Sequence, residues 1–530
     1  MFMNLQPDRE RKKKFSVFHF LAIVLLSIGI FFRFVNIDRK VAWMDECITL
    51  LRLSDYHSEV EMEQKFLNGQ EFKVEILHQS LRPNPDTNAV HLLKETLVKH
   101  PEHPPLYYML GRLSVEWFGS SIAVLRTTAA AISLLAFPAV FWLCWELFDL
   151  PLSGWLGLSF ISVSPLYVLY AQEPRQYSLW IVSILLSSAA LLRAMRVGTK
   201  ISWLAYTITV VLGLYSHLFF ALVAIAQAIY AIAMEKFRLT QKLIAYLAAS
   251  AAAFLLFLPW IWIVITTTAQ IDKATDWSVK EFNLLLLPKR WVGNLSRVFL
   301  DFGFDESTTL ANAIVFVPLL LGLLILIAYS FYFLCSQTSK KVWLFILTLI
   351  AIPLMVLLFL DVTSGRLLSG TTRYLMPPYI GVQLTVIYLF SAKMTAFDRT
   401  IRSQQFWSLV FVAILTGSVL SCVMSFQARV WWSKGEAKHL DRIAKIVNQT
   451  DRPVLVVSDD YLARILALSY LLKPESNLQL ADGKINLEIS KDERSTFLFN
   501  PSENMKSGLG KQHPLQLLYD DELQLFGLEK

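Results

Sequence analysis

Long apolar runs without charge recur along this chain, and they constrain its fold more than any other feature. From Phe15 to Phe32 it reads FSVFHFLAIVLLSIGIFF, with no Asp, Glu, Lys or Arg. That is about the length of one bilayer crossing, roughly 20 residues. Similar runs lie near 123–147, 152–169, 177–192, 202–216, 218–234, 243–264, 311–334, 342–360, 375–391 and 407–426. Lipid offers no partner for backbone N–H and C=O groups, so such runs must be helices. The composition agrees: 55% of the 530 residues are hydrophobic and only 17% charged. An ordinary soluble domain is less apolar and carries more charge. A disordered, collagenous or disulfide-scaffold chain is excluded. The expected fold is an all-α polytopic membrane protein with about eleven transmembrane helices.

Charge orients those helices. The sequence RERKKK at 9–14 precedes the first run, and Arg33, Asn36 and Asp38 follow it with no small-residue cleavage site. This reads as an uncleaved first helix with its N-terminus inside. Alternation then puts 148–151, 193–201, 235–242, 335–341 and 392–406 in the cytoplasm. Lys and Arg concentrate there, whereas the short outer loops hold only Arg175, Arg366 and Arg373. The net charge of +7 is therefore read as positive-inside bias, with no nucleic-acid partner. Cys47, Cys144, Cys335 and Cys422 are far apart and form no CxxC pair.

Three long segments fall outside on this reading: 33–122, 265–310 and 427–530. Residues 1–426 form the membrane domain, with 33–122 and 265–310 as its outer loops. The first of these is expected to hold interfacial helices. Residues 427–530 read as a small extracytoplasmic α/β domain. It has a helix near 436–448, a strand at 453–459, a helix near 460–472 and a strand at 496–500.

Candidate chemistry gathers on the outer segments. In VAWMDECITL, Asp45 and Glu46 are neighbouring carboxylates; their repulsion would hold one proton more tightly, which suits a general base. Asp45 reads equally well as the acidic cap of an interfacial helix. In PEHPPLYYML, His103 precedes two prolines that open a helix and is a donor for phosphate or hydroxyl; the alternative is a solvated His at an anchoring helix. In YAQEPRQYSL, Glu173, Arg175 and Tyr177 crowd a helix end, where Arg offers a forked donor for phosphate. The alternative there is a Glu173–Arg175 pair beside a belt tyrosine. In SGTTRYLMPPY, Arg373 and Tyr374 precede a span. The long outer loop adds Arg290 and Arg297, read either as part of a lid over the substrate or as static cover of the helix ends. DFG at 301–303 lacks the other kinase patterns, and no P-loop is present. A transporter would carry ionisable groups near mid-membrane; here Arg126 and Glu146 sit near span ends. A lipid or glycan flippase of the envelope, or an envelope scaffold, remain the readings from other classes.

Taken in order, these motifs resemble the C-type (GT-C fold) glycosyltransferases. The carriers of the resemblance are one helix, an Asp-Glu pair, HPPLYY, Arg126 opening the next helix, the Glu-Pro-Arg-Gln-Tyr cluster and a late Arg-Tyr with prolines. The nearest branch holds protein O-mannosyltransferases, aminoarabinose transferases of lipid A and lipopolysaccharide-core sugar transferases. The resemblance covers roughly residues 10–430 and is strongest over 10–240. It implies inverting sugar transfer from a polyprenyl-phosphate donor to a lipid, glycan or protein acceptor, outside the cytoplasm, in a bacterial inner membrane. It also implies that Asp45 is the base, with Glu46 as the second acid. His103, Arg175, Tyr177, Arg373 and Tyr374 then surround the donor phosphate. The order in QEPRQY departs from the commoner pattern, which leaves Glu173 unassigned. No cofactor is fixed by these motifs; a divalent cation is one way to supply positive charge at the phosphate.

Overall fold

The computed structural model describes residues 6–54, 62, 65–88, 90–94, 100–268, 284–304, 308, 314–395, 400–458, 462–481, 495–511 and 513–528. Contacts divide the chain into two units: 1–35, 100–107 and 129–427, and 36–99, 108–128 and 428–530.

The first unit is a helical bundle. Among the described residues, each apolar run singled out above is built mainly of helix, but fewer than eleven helices are long and apolar enough to cross a bilayer. Among the described residues, seven helices are long and apolar enough: Val17–Phe34, Ile122–Leu147, Tyr177–Val197, Gln241–Thr266, Ile314–Gln337, Lys340–Ser364 and Ile401–Lys434. The pair Ser153–Val163 and Pro165–Ala171 makes an eighth if its 59° bend lies within one span. The bend follows from Pro165, which lacks an N–H and keeps Ser164 in extended backbone. The expected eleven therefore falls to seven or eight. Lys200–Ser216 has 17 residues and Phe220–Met234 only 15. Met376–Thr395 has 20, but Pro377, Pro378, Gln383 and Lys393 dilute its hydropathy.

Burial separates centre from rim in this bundle. Tyr177–Val197 has 83% of its most apolar window buried, against 17% for Ile314–Gln337. The rim helices leave Ile325, Met355 and Phe359 exposed, as lipid-facing side chains are. The first helix packs closely on Ser153–Val163, because a Cβ at Gly29 would collide with the Ser162 carbonyl. Arg33 fixes the same contact from its buried position. Its Nε donates to Ser133 Oγ at 3.1 Å, and its Nη atoms to the carbonyls of Gly29 (2.9 Å), Ser162 (2.6 Å) and Ile161 (3.0 Å). Two of those carbonyls end a helix, where the backbone dipole favours a cation.

The second unit contains a six-stranded sheet of order β1-β3-β2-β4-β6-β5. The strands are β1 Asn68–Lys73, β2 Val454–Ser458, β3 Asn477–Ala481, β4 Thr496–Phe499, β5 Leu515–Asp520 and β6 Gln524–Leu528. The central β3-β2-β4 pairings are parallel and the outer ones antiparallel. Successive residues of β2 serve opposite faces, as strand geometry requires. Leu455 and Val457 join a large core with Leu50, Leu51, Leu440, Ile443, Leu466 and Phe497, while Val454 and Val456 meet Leu498 and Leu509.

The helices and strands expected at 436–448, 453–459, 460–472 and 496–500 are present as Ala437–Val447, β2, Leu462–Ser469 and β4. The break expected at 426/427 falls at 427/428 by contact. The first outer loop is shared: residues 100–107 group with the membrane helices, whereas 36–99 and 108–122 do not. It supplies β1 and the helix Met44–Ser54 to the same sheet-and-core unit as residues 428–530.

Candidate active site

The acidic pair opens the helix Met44–Ser54, and its two carboxylates have different surroundings. Asp45 is half-buried in the first turn. Glu46 is fully buried. The Trp43 N–H donates to Glu46 Oε2 at 3.1 Å, the reciprocal half of a capping box. Arg126 grips the same carboxylate with both forks, Nε to Oε1 at 2.8 Å and Nη2 to Oε2 at 2.7 Å. Lys434 Nζ reaches Oε1 at 2.9 Å. The remaining Arg126 donors bind the carbonyls of Ile37 (2.7 Å), Lys40 (2.9 Å) and Val41 (3.3 Å). Burial alone would raise the Glu46 pKa, but Arg126 and Lys434 outweigh it and hold the carboxyl below its usual range. Glu46 therefore stays ionised and fully engaged. These bonds join Glu46 to the backbone at Trp43, to Arg126 and to Lys434 at the start of the helix that carries Asp45. The mutual repulsion expected of the pair is offset by these two cations.

The other candidates belong to the helical unit. Residues 172–176 form a tight turn between Pro165–Ala171 and Tyr177–Val197, with Pro174 preventing a continuous helix. Gln172 Nε2 donates to the carbonyls of Phe32 (2.9 Å) and Val35 (3.2 Å), anchoring the turn to the end of the first helix. Glu173, Arg175 and Tyr177 are all buried. Gln176 Nε2 lies 3.2 Å from His103 Nδ1. His103 Nε2 in turn is 3.7 Å from Glu102 Oε1, and His100 Nδ1 is also 3.7 Å from that oxygen. Tyr177 packs edge-on against Tyr170, with ring centres 5.3 Å apart.

His217 joins this cluster to the late Arg-Tyr motif. Its ring centre is 6.3 Å from that of Tyr374 and 6.3 Å from that of Tyr177. The Arg373 guanidinium lies over the Tyr374 ring at 5.5 Å. Burial, then the charges of Arg373 and Arg175, pushes the His217 pKa down to about 3. The imidazole is thus neutral beside two guanidiniums. Sequence reading named this position only as a short outer loop. A lone His between two apolar runs gave no further signal, and Glu102 was likewise passed over.

Arg373 sits on a loop held from two sides. Asp361 is fully buried and accepts the N–H groups of Leu368 (2.5 Å) and Ser369 (2.8 Å). From the long outer loop, the helix Leu287–Ser296 contributes Trp291 Nε1 to the Ser369 carbonyl (2.9 Å) and Asn294 Nδ2 to the Gly370 carbonyl (3.0 Å). Asn294 Oδ1 accepts from Thr372 Oγ1 (2.7 Å) and Arg297 Nη1 (2.6 Å). Arg297 also donates to the Phe304 carbonyl at 2.6 Å. Arg297 therefore braces Asn294, which with Trp291 holds the Arg373 loop, and Arg290 lies on the same helix. Residues 269–283 of that outer loop lie outside the described residues.

The helical unit thus brings Arg175, Tyr177, His217, Arg373 and Tyr374 together, with His103 tied in through Gln176. Asp45 and Glu46 belong to the sheet unit. Among the described residues, no three His, Cys, Asp or Glu side chains gather as a metal site.

Residues 102–263 match the family model described as dolichyl-phosphate-mannose-protein mannosyltransferase. In fold, the chain is similar to the crystal structure of ArnT from Cupriavidus metallidurans bound to undecaprenyl phosphate. Identity is 11% and the TM-score 0.50, with 95% of this chain and 97% of that chain covered. ArnT from the same organism in the apo state aligns at 12% identity and TM-score 0.49, covering 95% and 97%. No curated protein matches. The fold is therefore that of the ArnT structure, with seven or eight helices long and apolar enough to cross a membrane among the described residues. Within that fold, the stretch from Glu102 to Ile263 matches the mannosyltransferase family, as the motifs suggested.

Two outcomes follow for stability. Glu46→Gln keeps the side chain's size but leaves Arg126 and Lys434 buried without an anion. Breaking such a pair costs about 3–5 kcal/mol, so thermal unfolding in detergent should show a clear loss. Asp45→Asn should unfold close to the wild type, and equal stability of both variants would contradict the ion cluster.

The second outcome concerns pH. His217 has a folded pKa of about 3, below the ~6.5 of an unfolded His. Below about pH 6.5 the unfolded chain binds a proton that the native site refuses, so stability falls as pH drops. His217→Phe removes this term. At pH 5 the wild type should have lost roughly 2 kcal/mol more than the variant, relative to pH 7. Parallel unfolding curves at both pH values would contradict a neutral buried His217.

Proposed function

We propose that the protein is a membrane glycosyltransferase that moves a sugar from a polyprenyl-phosphate donor to an acceptor hydroxyl or amine on the outer face of the membrane. The observation that carries this reading is the gathering of Arg175 and Arg373 around His217 at the ends of apolar helices. Two guanidiniums there suit an anionic headgroup whose tail lies in lipid. The undecaprenyl phosphate bound in the similar ArnT structure supports the choice of a prenyl tail over other anionic lipids. A bacterial inner membrane, with the sheet unit outside, accords with this donor and with the Lys and Arg bias of the loops.

The chemistry asks little of the protein beyond charge and position. The acceptor O–H or N–H proton passes to the Asp45 carboxylate while a bond forms to C1 of the sugar. The bond from C1 to the phosphate oxygen breaks, and its electron pair leaves with polyprenyl phosphate. That leaving group is already a weak base, so a general acid is not required. Arg175 and Arg373 stabilise the phosphate charge as it develops, and His103 and the two tyrosines frame it. Attack opposite the phosphate inverts C1. Glu46, held by Arg126 and Lys434, sets the position of Asp45 without exchanging a proton.

Asp45→Asn tests the assignment, because it removes basicity and keeps size. Transfer from a polyprenyl-phosphate sugar should fall by roughly 10²–10⁴-fold, with donor affinity and unfolding temperature close to wild type. Near-normal turnover in this variant would reduce Asp45 to a helix-start acid.

A further inference from the structure

Two neutral donors beside the arginines have no acceptor in the chain. His217 is 7% exposed and stacks on Trp180, with ring centres 4.1 Å apart and planes 13° from parallel. The Phe219 backbone N–H donates to His217 Nδ1 at 3.1 Å. That bond needs a lone pair on Nδ1, so the proton of the neutral ring sits on Nε2. Among the described residues, nothing accepts from Nε2. Trp180 Nε1, on a fully buried side chain, likewise has no hydrogen-bond partner among the described residues. An unmatched buried donor such as the Trp180 indole is costly, and a second donor without an acceptor on the ring stacked against it points to an acceptor that comes from outside the chain.

Charge tells what kind of acceptor it is. The His217 ring centre is 6.3 Å from that of Tyr374, which the Arg373 guanidinium covers, and 6.3 Å from that of Tyr177, two residues after Arg175, so an anion is the ligand that suits these N–H groups. A protonated imidazole would add a third buried positive charge beside two guanidiniums. A neutral imidazole and an indole supply directed hydrogen bonds without that cost. We infer that His217 Nε2–H and Trp180 Nε1–H bind the phosphate oxygens of the polyprenyl-phosphate donor, as neutral partners of Arg175 and Arg373. The inference rests on the polyprenyl-phosphate reading above and adds two residues that neither the motifs nor the comparisons assign.

The test is equilibrium binding of undecaprenyl phosphate, and of undecaprenol as its uncharged counterpart, to the purified full-length protein in detergent. His217→Phe keeps a ring on Trp180 and removes the donor. Its affinity for undecaprenyl phosphate should fall by roughly tenfold or more, the scale of a hydrogen bond to a charged group, while undecaprenol binding is unchanged. His217→Gln restores an N–H near the same place and should recover much of the loss. Trp180→Phe keeps the stack, removes the indole donor and should weaken phosphate binding several-fold. Wild-type affinity for undecaprenyl phosphate in folded His217→Phe would overturn the inference. So would an equal loss for undecaprenol, which would make His217 a packing residue. If His217→Phe does not fold, Trp180→Phe decides, and no loss there overturns the inference. A wild-type protein that does not distinguish undecaprenyl phosphate from undecaprenol would instead defeat the donor reading, and the inference with it.

Discussion

The carboxylate of Glu46 fastens chain segments that nothing local in the sequence connects. It sits at the start of Met44–Ser54 and binds Arg126 and Lys434 in a buried cluster. The spare donors of Arg126 hold the carbonyls of residues 37, 40 and 41. A carboxylate out of water is expensive unless it is paired and hydrogen-bonded. Here both conditions are met, so the turn before the helix has one arrangement. Asp45, next along the chain, takes its position from that turn.

The helical unit solves a different problem. Lipid supplies no water to satisfy polar groups, so charged side chains at helix ends must find partners within the protein. Arg33 does so with carbonyls that end a neighbouring helix. Asp361 does so with two backbone N–H groups, and in doing so shapes the loop that presents Arg373. Asn294 ties the helix Leu287–Ser296 to the same loop. The arginines near His217 are thus presented by a scaffold of backbone contacts.

How much of this was legible in the sequence depended on how local the signal was. The first helix was readable because its run carries no charge and is flanked by basic residues. Counting every run as a crossing gave too many spans, since Lys200–Ser216 and Phe220–Met234 are apolar but short. β2 and β4 announced themselves as PVLVVSD and TFLFN. β1 did not, because NGQEFK is a polar edge strand that exists only by pairing with β3, some 400 residues away. For the same reason the grouping of residues 36–99 with 428–530 left no local signal. Arg175 and Arg373 stood out as rare cations in outer loops. His217 and Lys434 did not, because each gains its meaning from residues distant in sequence.

The central claim is that the phosphate-seeking arginines and the Asp45 turn serve sugar transfer from a lipid-linked donor. The most direct measurement is to incubate the purified protein and a mixed lipid, glycan and peptide acceptor pool with a panel of polyprenyl-phosphate sugars, and to quantify the released polyprenyl phosphate. The account predicts acceptor-dependent release from at least one polyprenyl-phosphate sugar, and none from nucleotide sugars offered in parallel. Sugar transfer from a nucleotide donor, with every polyprenyl-phosphate sugar left intact, would contradict it.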